Sequence, residues 1–533
     1  MKQILILCDY MSIIFNKTKL DMNYLLKPVT YGPVVKGTQD STHIRLWSRV
    51  KVKRELKAKK SVCVISRLKV LGDANYMFAD FRYMVAPRRH KYITMFDYQQ
   101  LLCNTTYEYQ IGYLLIDTKT FSGDYFDTAE NVIDNFDWTH ASYGTFKTGN
   151  IEHTSFIFGS CRKWIKIFGS EICGMGSSAD QVYNAIRCHS IDFFLSVGDQ
   201  IYLDPICKNF LQTKSFKDMV KRYDKVRNYD NIKHLMANTC TYEICDDHDH
   251  LVNDSNYALR KKYKNIYKNS IRAYFYYQSI NGPFAYSKQY HEPLYYNFEK
   301  EYAAFFVMDT RDERDERSVL SKKIISKKQM CCFEEWLVSN ESSDKILFLV
   351  SPTPVLSQVS QDSWYGYPKQ QAKLLRMIAQ CKNKNIFILT GDVHCCRVGI
   401  YQMFVNNDLQ QREVLCDRLF IEIASSGLAS TSHSYGKECK THKIHNESTT
   451  DLLFDIENYN NDNDFPYEID NIPNGGIKLV TYYAKESVPK RNDKISKGVF
   501  TKITIKDNKE TMTVEFFNQN NNLLDNCIFN LSV

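Results

Sequence analysis

No apolar stretch in the chain approaches the ~18 residues needed to span a bilayer, so no transmembrane segment is expected. There is no Walker loop, no Gly-X-Gly-X-X-Gly, no nucleophile elbow and no zinc-protease His-Glu-X-X-His. These absences set aside the commonest nucleotide-cradling, dinucleotide-binding and serine- or zinc-hydrolase designs. No solenoid-type repeat is found. The 17 cysteines are odd in number, include the neighbours Cys331-Cys332 and Cys395-Cys396, and build no small-domain disulfide framework. They read as reduced thiols of a cytosol-like compartment. Near the start, Asp9 interrupts the apolar residues 4–7, and neither a small-residue cleavage site nor a twin-arginine pair follows. A first β-strand is expected there instead of an export signal, with the protein in the cytoplasm. Basic excess is also scarce: 69 Lys+Arg against 61 Asp+Glu leave +8. The densest basic stretch, residues 49–60, alternates with Val50, Val52 and Leu56 as a solvated face would, so no specific nucleic-acid partner is expected.

What is present is a large globular chain. With 533 residues, 44% hydrophobic and 14% aromatic, it can bury a real core in one large domain and one or two smaller ones. Residues 1–149 are β-rich (44–52, 61–64, 92–96, 107–116), with turn residues between the segments and no clear amphipathic helix. A small β-sandwich is expected there. From residue 150 to 533 apolar runs alternate with segments of helical spacing (178–189, 327–339, 368–381), the pattern of a layered α/β domain. Residues 431–493 read as a polar surface insertion and 499–517 as a terminal β-hairpin.

Seven apolar runs end abruptly in polar clusters. Residues 156–158 lead to Gly159-Ser160-Cys161-Arg162, and 193–197 to Gly198-Asp199-Gln200-Ile201-Tyr202. Residues 242–245 meet Asp246-Asp247-His248-Asp249, and 303–308 meet Asp309-Thr310-Arg311. Residues 346–350 lead to Ser351-Pro352-Thr353-Pro354, 386–390 to Gly391-Asp392-Val393-His394, and 419–424 to Ser425-Ser426-Gly427. Such runs read as strands buried on both faces. Ligands of open α/β sheets gather beyond the carboxyl ends of the strands. One converging site is therefore expected, and its mixture of carboxylate, imidazole and thiol suits a metal centre.

Each cluster alone has a plainer reading. A strand-end Asp is more often a cap or turn residue, a buried Cys a small hydrophobe, and Tyr202 a core phenol. Taken together, Asp199 could bridge two cations, while Asp392 and His394 could hold one. The acidic run 246–254 demands a cation or solvent to neutralise it. Tyr202 would be a ligand only for a strongly Lewis-acidic ion such as ferric iron. The guanidinium of Arg311 suits a phosphoryl or carboxyl group.

Read in order, these blocks resemble the alkaline phosphatase D (PhoD-like) metallophosphatases. The likeness extends upstream to Gly32-Pro33-Val34-Val35 and Arg45-Leu46-Trp47-Ser48-Arg49. It implies a four-layer αββα metallophosphatase core behind a small fibronectin-like β-sandwich, acting on phosphate esters. It also implies ferric iron and calcium, other divalent cations being possible. The thiolate ligand would be Cys161, the bridging carboxylate Asp199 and the phenolate Tyr202. Asn253, Asp392 and His394 would complete the metal shell, Arg311 with Asn253 would meet the substrate, and His248 is the candidate to protonate the leaving oxygen. Two rivals stay open: a phospholipid- or nucleotide-directed phosphodiesterase on the same centre, and a non-catalytic, metal-containing partner-binding protein.

Overall fold

The computed structural model describes residues 13–14, 24–53, 56, 60–76, 81–117, 122–123, 136–149, 152–163, 165–167, 170–172, 178–204, 213–289, 291–315, 322–356, 363–394, 396–406, 412–429, 451–453, 475–485, 498–506 and 509–531. Two compact units emerge, Met1–Asn150 with Ile232–Thr241, and Ile151–Asn231 with Tyr242–Val533. The fold is mixed α/β. Among the described residues, no helix is long and apolar enough to cross a membrane.

The first unit is mainly antiparallel β. Lys60–Val70 and Thr106–Asp117 pair from Lys60↔Asp117 to Val70↔Tyr107, and Arg82–Val85 and Ser142–Lys147 add to their two sides. Tyr31–Gly37, Ile44–Arg49 and Ile93–Tyr98 form a second antiparallel group. Aromatic and β-branched residues suit such half-buried pleated surfaces. Leu26, Cys63, Ile65, Phe136 and Trp138 gather in one apolar cluster. Residues from the other end of a long sequence gap complete the unit: Tyr109 donates to the Ala237 carbonyl at 2.7 Å, and Asn238 accepts from the Thr145 N–H at 2.9 Å. Nothing in the sequence marked that return.

In the second unit the seven apolar runs are strands: β1 (His153–Gly159), β2 (Phe193–Val197), β3 (Cys240–Ile244), β4 (Ala303–Val307), β5 (Ile346–Ser351), β6 (Ile386–Thr390) and β7 (Arg412–Ser425). β1 and β2 run parallel, with β3 beside β2 and the antiparallel strands Val499–Lys506, Thr511–Asn518 and Leu523–Asn530 beyond β1. Val499–Lys506 pairs with Thr511–Asn518, and Leu523–Asn530 adds a third strand to that pair. β4 to β7 are parallel neighbours in a second sheet. Cys396–Asn406 and Gly475–Lys485 continue it antiparallel. Most of the insertion expected at 431–493 lies outside the described residues. Gly475–Lys485, however, is a sheet strand; the polar flanks masked its β pattern.

Strand alternation decides which side each apolar residue faces. Phe156 and Phe193 stack at 4.8 Å on one sheet, Phe305 and Phe348 at 4.9 Å on the other. The pairs meet edge-on, Phe156 to Phe305 at 5.3 Å and Phe193 to Phe298 at 5.6 Å. On the far side of the second sheet, Phe306, Leu349 and Ile388 pack with Phe333 and Trp336 of helix Lys327–Ser339 and Leu374 of helix Pro368–Gln380. Tyr183 of helix Ser178–Arg187 covers Phe194 of the first sheet. Full burial of each such side chain stabilises by about 1.5–3 kcal/mol. These three helices coincide with the segments of helical spacing. Helices Phe216–Val226 and Lys264–Tyr277 were not anticipated.

Candidate metal centre

Parallel strands deliver their carboxyl ends to one edge, and the polar clusters converge there. One ligand atom each from Cys161, Asp199 and Asp392 lies within 4.8 Å of the other two, and the same holds for Asp199, Asp247 and His248. Asp199 belongs to both groups, which is the placement a bridging carboxylate needs. The Tyr202 hydroxyl donates to Asp199 Oδ2 at 3.0 Å, and the Cys161 thiol reaches the same oxygen at 3.5 Å.

Sharp turns create this convergence. Cys161 (φ 61°), Asp199 (58°), Asp392 (67°) and His394 (53°) all adopt left-handed backbone conformations. For non-glycine residues this costs on the order of 1–3 kcal/mol each and persists only where the surroundings enforce it. Close packing does the enforcing. A Cβ on Gly198 would stand 2.5 Å from the Asp246 Cβ, and one on Gly391 would stand 2.6 Å from the Val197 carbonyl oxygen. Backbone bonds tie the ends together: Arg162 N–H to Asp199 O at 2.8 Å and Cys161 N–H to Gly198 O at 3.3 Å. The Asp392 N–H donates to Ser160 Oγ at 3.1 Å.

The acidic run after β3 divides its labour. Asp249 accepts from the Gln200 and Ile201 N–H groups at 3.2 and 2.7 Å, pinning the loop that carries Asp199. Asp246 holds the Arg311 Nε, and Arg311 also stands 3.8 Å from Asp247. Arg311 is fully buried, so its first visible role is as counter-ion to this acidic pair. His248 Nδ1 lies 2.5 Å from Asp204 Oδ1, and its ring tilts over Tyr202 at 4.1 Å. Asn253 enters through its backbone, its N–H reaching Asp204 Oδ2 at 2.8 Å. His394 follows Asp392 by two residues, but its imidazole is in neither close-set group.

Electrostatics favour a cation. Burial pushes the Asp199 carboxyl well above the ordinary carboxylate range; His248 opposes this, while Asp247, Asp246 and Asp249 add to it. Burial, then Asp199 and Asp392, push the Cys161 thiol well up, and burial with Asp199 does the same to Tyr202. Burial alone would lower His248, but Asp247, Asp199 and Asp204 raise it well above the usual imidazole value, favouring imidazolium. Like charges crowded in low dielectric hold protons unless a cation replaces them. A thiol, a phenol, an imidazole and several carboxylates are a donor set that fits hard or borderline metal ions.

Sequence reasoning did not single out two of these residues. Asp247 was visible only as one member of a dense acidic run, and Asp204 lies two residues beyond the block Gly198–Tyr202. Nothing in one dimension distinguishes the carboxylate facing the centre from those that brace it.

Comparison with known proteins follows the same lines. The PhoD-like phosphatase family profile matches residues 156–465. Alkaline phosphatase D of Bacillus subtilis (strain 168) is 25% identical over 291 residues, a match that spans 46% of this chain and 46% of that protein. Among solved structures, that of PhoD superposes with a TM-score of 0.61 at 16% identity, covering 95% of this chain and 89% of the other. Purple acid phosphatase PPD1 from yellow lupin (Lupinus luteus) seeds gives a TM-score of 0.53 at 10% identity, covering 95% and 74%. With more than half of its length matched by the family profile, and the strand-end blocks in place, this chain belongs to the PhoD-like phosphatase family.

Proposed function

We propose that the chain is a metal-dependent phosphoric ester hydrolase. The observation that carries this reading is the shared Asp199, which stands in both ligand groups at the strand edge. Cys161, Tyr202 and Asp392 surround it as a thiol-containing pocket suited to ferric iron, and Asp247 adds a carboxylate suited to calcium or another divalent cation, with Asn253 and His394 as the further donors of this reading. Cations bound there supply Lewis acidity toward phosphoryl oxygens and lower the pKa of water.

The chain's own groups do the rest. Hydrolysis joins a water oxygen to phosphorus, breaks the ester P–O bond and delivers a proton to the departing oxygen. His248, oriented by the contact of its Nδ1 with Asp204, is suited to donate that proton. Asp204 also accepts from the Asn253 N–H, so the proton donor and the substrate-side loop are tied to one carboxylate. Arg311 balances Asp246 and Asp247, and its guanidinium is suited to stabilise charge that develops on a phosphoryl group.

Metal content measured together with turnover of aryl phosphate mono- and diesters tests the reading. Asp199→Asn should abolish turnover and reduce bound metal while leaving the circular dichroism unchanged. Near-normal activity of that variant would show the assignment to be wrong, and the mono- to diester ratio identifies the preferred ester class.

A further inference from the structure

Directly after the acidic loop the charge of the chain changes sign. Residues 255–291 contain seven Lys or Arg and no Asp or Glu, nearly the whole formal excess of +8. This stretch forms helices Tyr257–Lys262 and Lys264–Tyr277, meeting at Tyr263. Tyr257 and Lys261 stand four residues apart on the first helix, and Lys264 and Lys268 four apart on the second, in each case the interval that keeps helical side chains on one face. All four are exposed, whereas Ile271, Tyr274, Phe275 and Tyr277 are buried. Tyr257 is 53% exposed, and the Lys261 ammonium lies 5.7 Å from its ring centroid.

A merely solvated helix face usually pairs opposite charges four residues apart. Here Lys264 and Lys268 are like charges at that spacing, an arrangement that weakens a helix unless an anion is supplied from outside. The stripe is also anchored beside the metal centre. The Asp254 N–H donates to Asp247 Oδ2 at 2.7 Å, the Tyr257 N–H donates to the Arg314 carbonyl at 2.8 Å, and Arg260 lies 3.6 Å from Asp312, the neighbour of Arg311. Within the second helix Lys264 and Lys268 are separated by ~6 Å of axial rise, and Lys261 precedes them on the first, so more than one phosphate can be met.

We propose that this stripe docks a single strand of nucleic acid, read without base specificity, with phosphates on Lys261, Lys264 and Lys268 and a base stacked on Tyr257. Lysines set beside an exposed aromatic face are the chemistry by which single strands are held. A bilayer surface is the weaker fit, because the stripe offers only one exposed ring and no apolar ridge to insert. That the docked strand leads a phosphodiester to the metal centre rests on the phosphoesterase reading above; the docking itself does not.

Fluorescence anisotropy of a labelled oligothymidylate with the full chain tests the docking. Lys261→Gln/Lys264→Gln/Lys268→Gln should raise Kd at least about tenfold and make the slope of log K against log salt shallower by about 2, since each single-strand phosphate contact contributes about 0.7. Tyr257→Ala should weaken oligothymidylate binding by roughly fivefold or more and leave binding of inorganic polyphosphate unchanged. An unchanged Kd and salt slope in the triple variant overturns the proposal. So does a triple variant that loses phosphatidylserine vesicles yet keeps its oligothymidylate affinity. Failure of the wild type to turn over aryl phosphates counts against the phosphoesterase reading alone, because the anisotropy arm needs no catalysis.

Discussion

Replacing Arg311 by Met isolates the role of the guanidinium. Arg311 and Asp246 are 0% and 1% exposed in their side chains, and Asp247 lies 3.8 Å away on the same guanidinium. Removing one member of so deeply buried a pair leaves a carboxylate with lost compensation, which costs about 3–5 kcal/mol. In the cation-free protein, urea unfolding of Arg311→Met should therefore show a loss of that size. Adding Asp246→Asn removes the stranded charge, so the double variant should recover a large part of it. The coupling in the double-mutant cycle should exceed about 1 kcal/mol, as expected for residues in direct contact. Arg311→Lys should fall between, since an ammonium keeps the charge but not the fork that meets two carboxylates. A loss below about 1 kcal/mol for Arg311→Met, with KM for an aryl phosphate sharply raised, would refute the counter-ion argument and leave Arg311 as a substrate ligand only.

Three further outcomes follow from the geometry. Gly391→Ala places a methyl 2.6 Å from the Val197 carbonyl and 2.7 Å from Ser160 Oγ; this overpacking should cost about 1–3 kcal/mol and shift Asp392, so calorimetric cation binding at wild-type strength would contradict the close approach. Cys161 and Asp199 hold their protons more tightly than usual without a cation, so metal loading should release protons to a pH indicator, less in Cys161→Ser; loading with no release would count against both as ligands. Asp97 in the first unit would be raised by burial, but His43 at 2.9 Å and Arg45 at 2.6 Å hold it below the ordinary carboxylate value. A depressed folded pKa stabilises above the unfolded carboxylate range and is lost as pH falls through the folded value. The thermal midpoint of wild type should thus exceed that of Asp97→Asn modestly at about pH 7, the site being half exposed, and the gap should close toward about pH 2; a gap independent of pH would disprove it.

Much of the site was legible because it is punctuated. Continuous apolar runs that end in Gly-Asp or Asp-Asp-His place those groups at a sheet edge, so the convergence of Cys161, Asp199 and Asp392 could be expected once the clusters were taken together. The helices at 178–187, 327–339 and 368–380 were legible from spacing, since one apolar face recurs each turn. Lys264–Tyr277 was not, because its tyrosines and lysines carry no clean apolar period until the packing partners are known. The charge reversal across 255–291 was hidden for a related reason: averaged over the chain it amounts only to a mild excess, and exposure had to be known before it became a stripe.

The amino-acid order by itself determined the alternating α/β rhythm, the strand-end clusters and the chemistry of their donors, all consequences of local pattern. Tertiary structure alone decided which carboxylate does what. Asp246, Asp247 and Asp249 are chemically identical neighbours, yet one faces Arg311, one joins Asp199 and His248, and one grips the Gln200–Ile201 backbone. Those assignments depend on contacts about fifty to sixty-five residues away along the chain, set by how the strands pair and where left-handed turns aim each side chain.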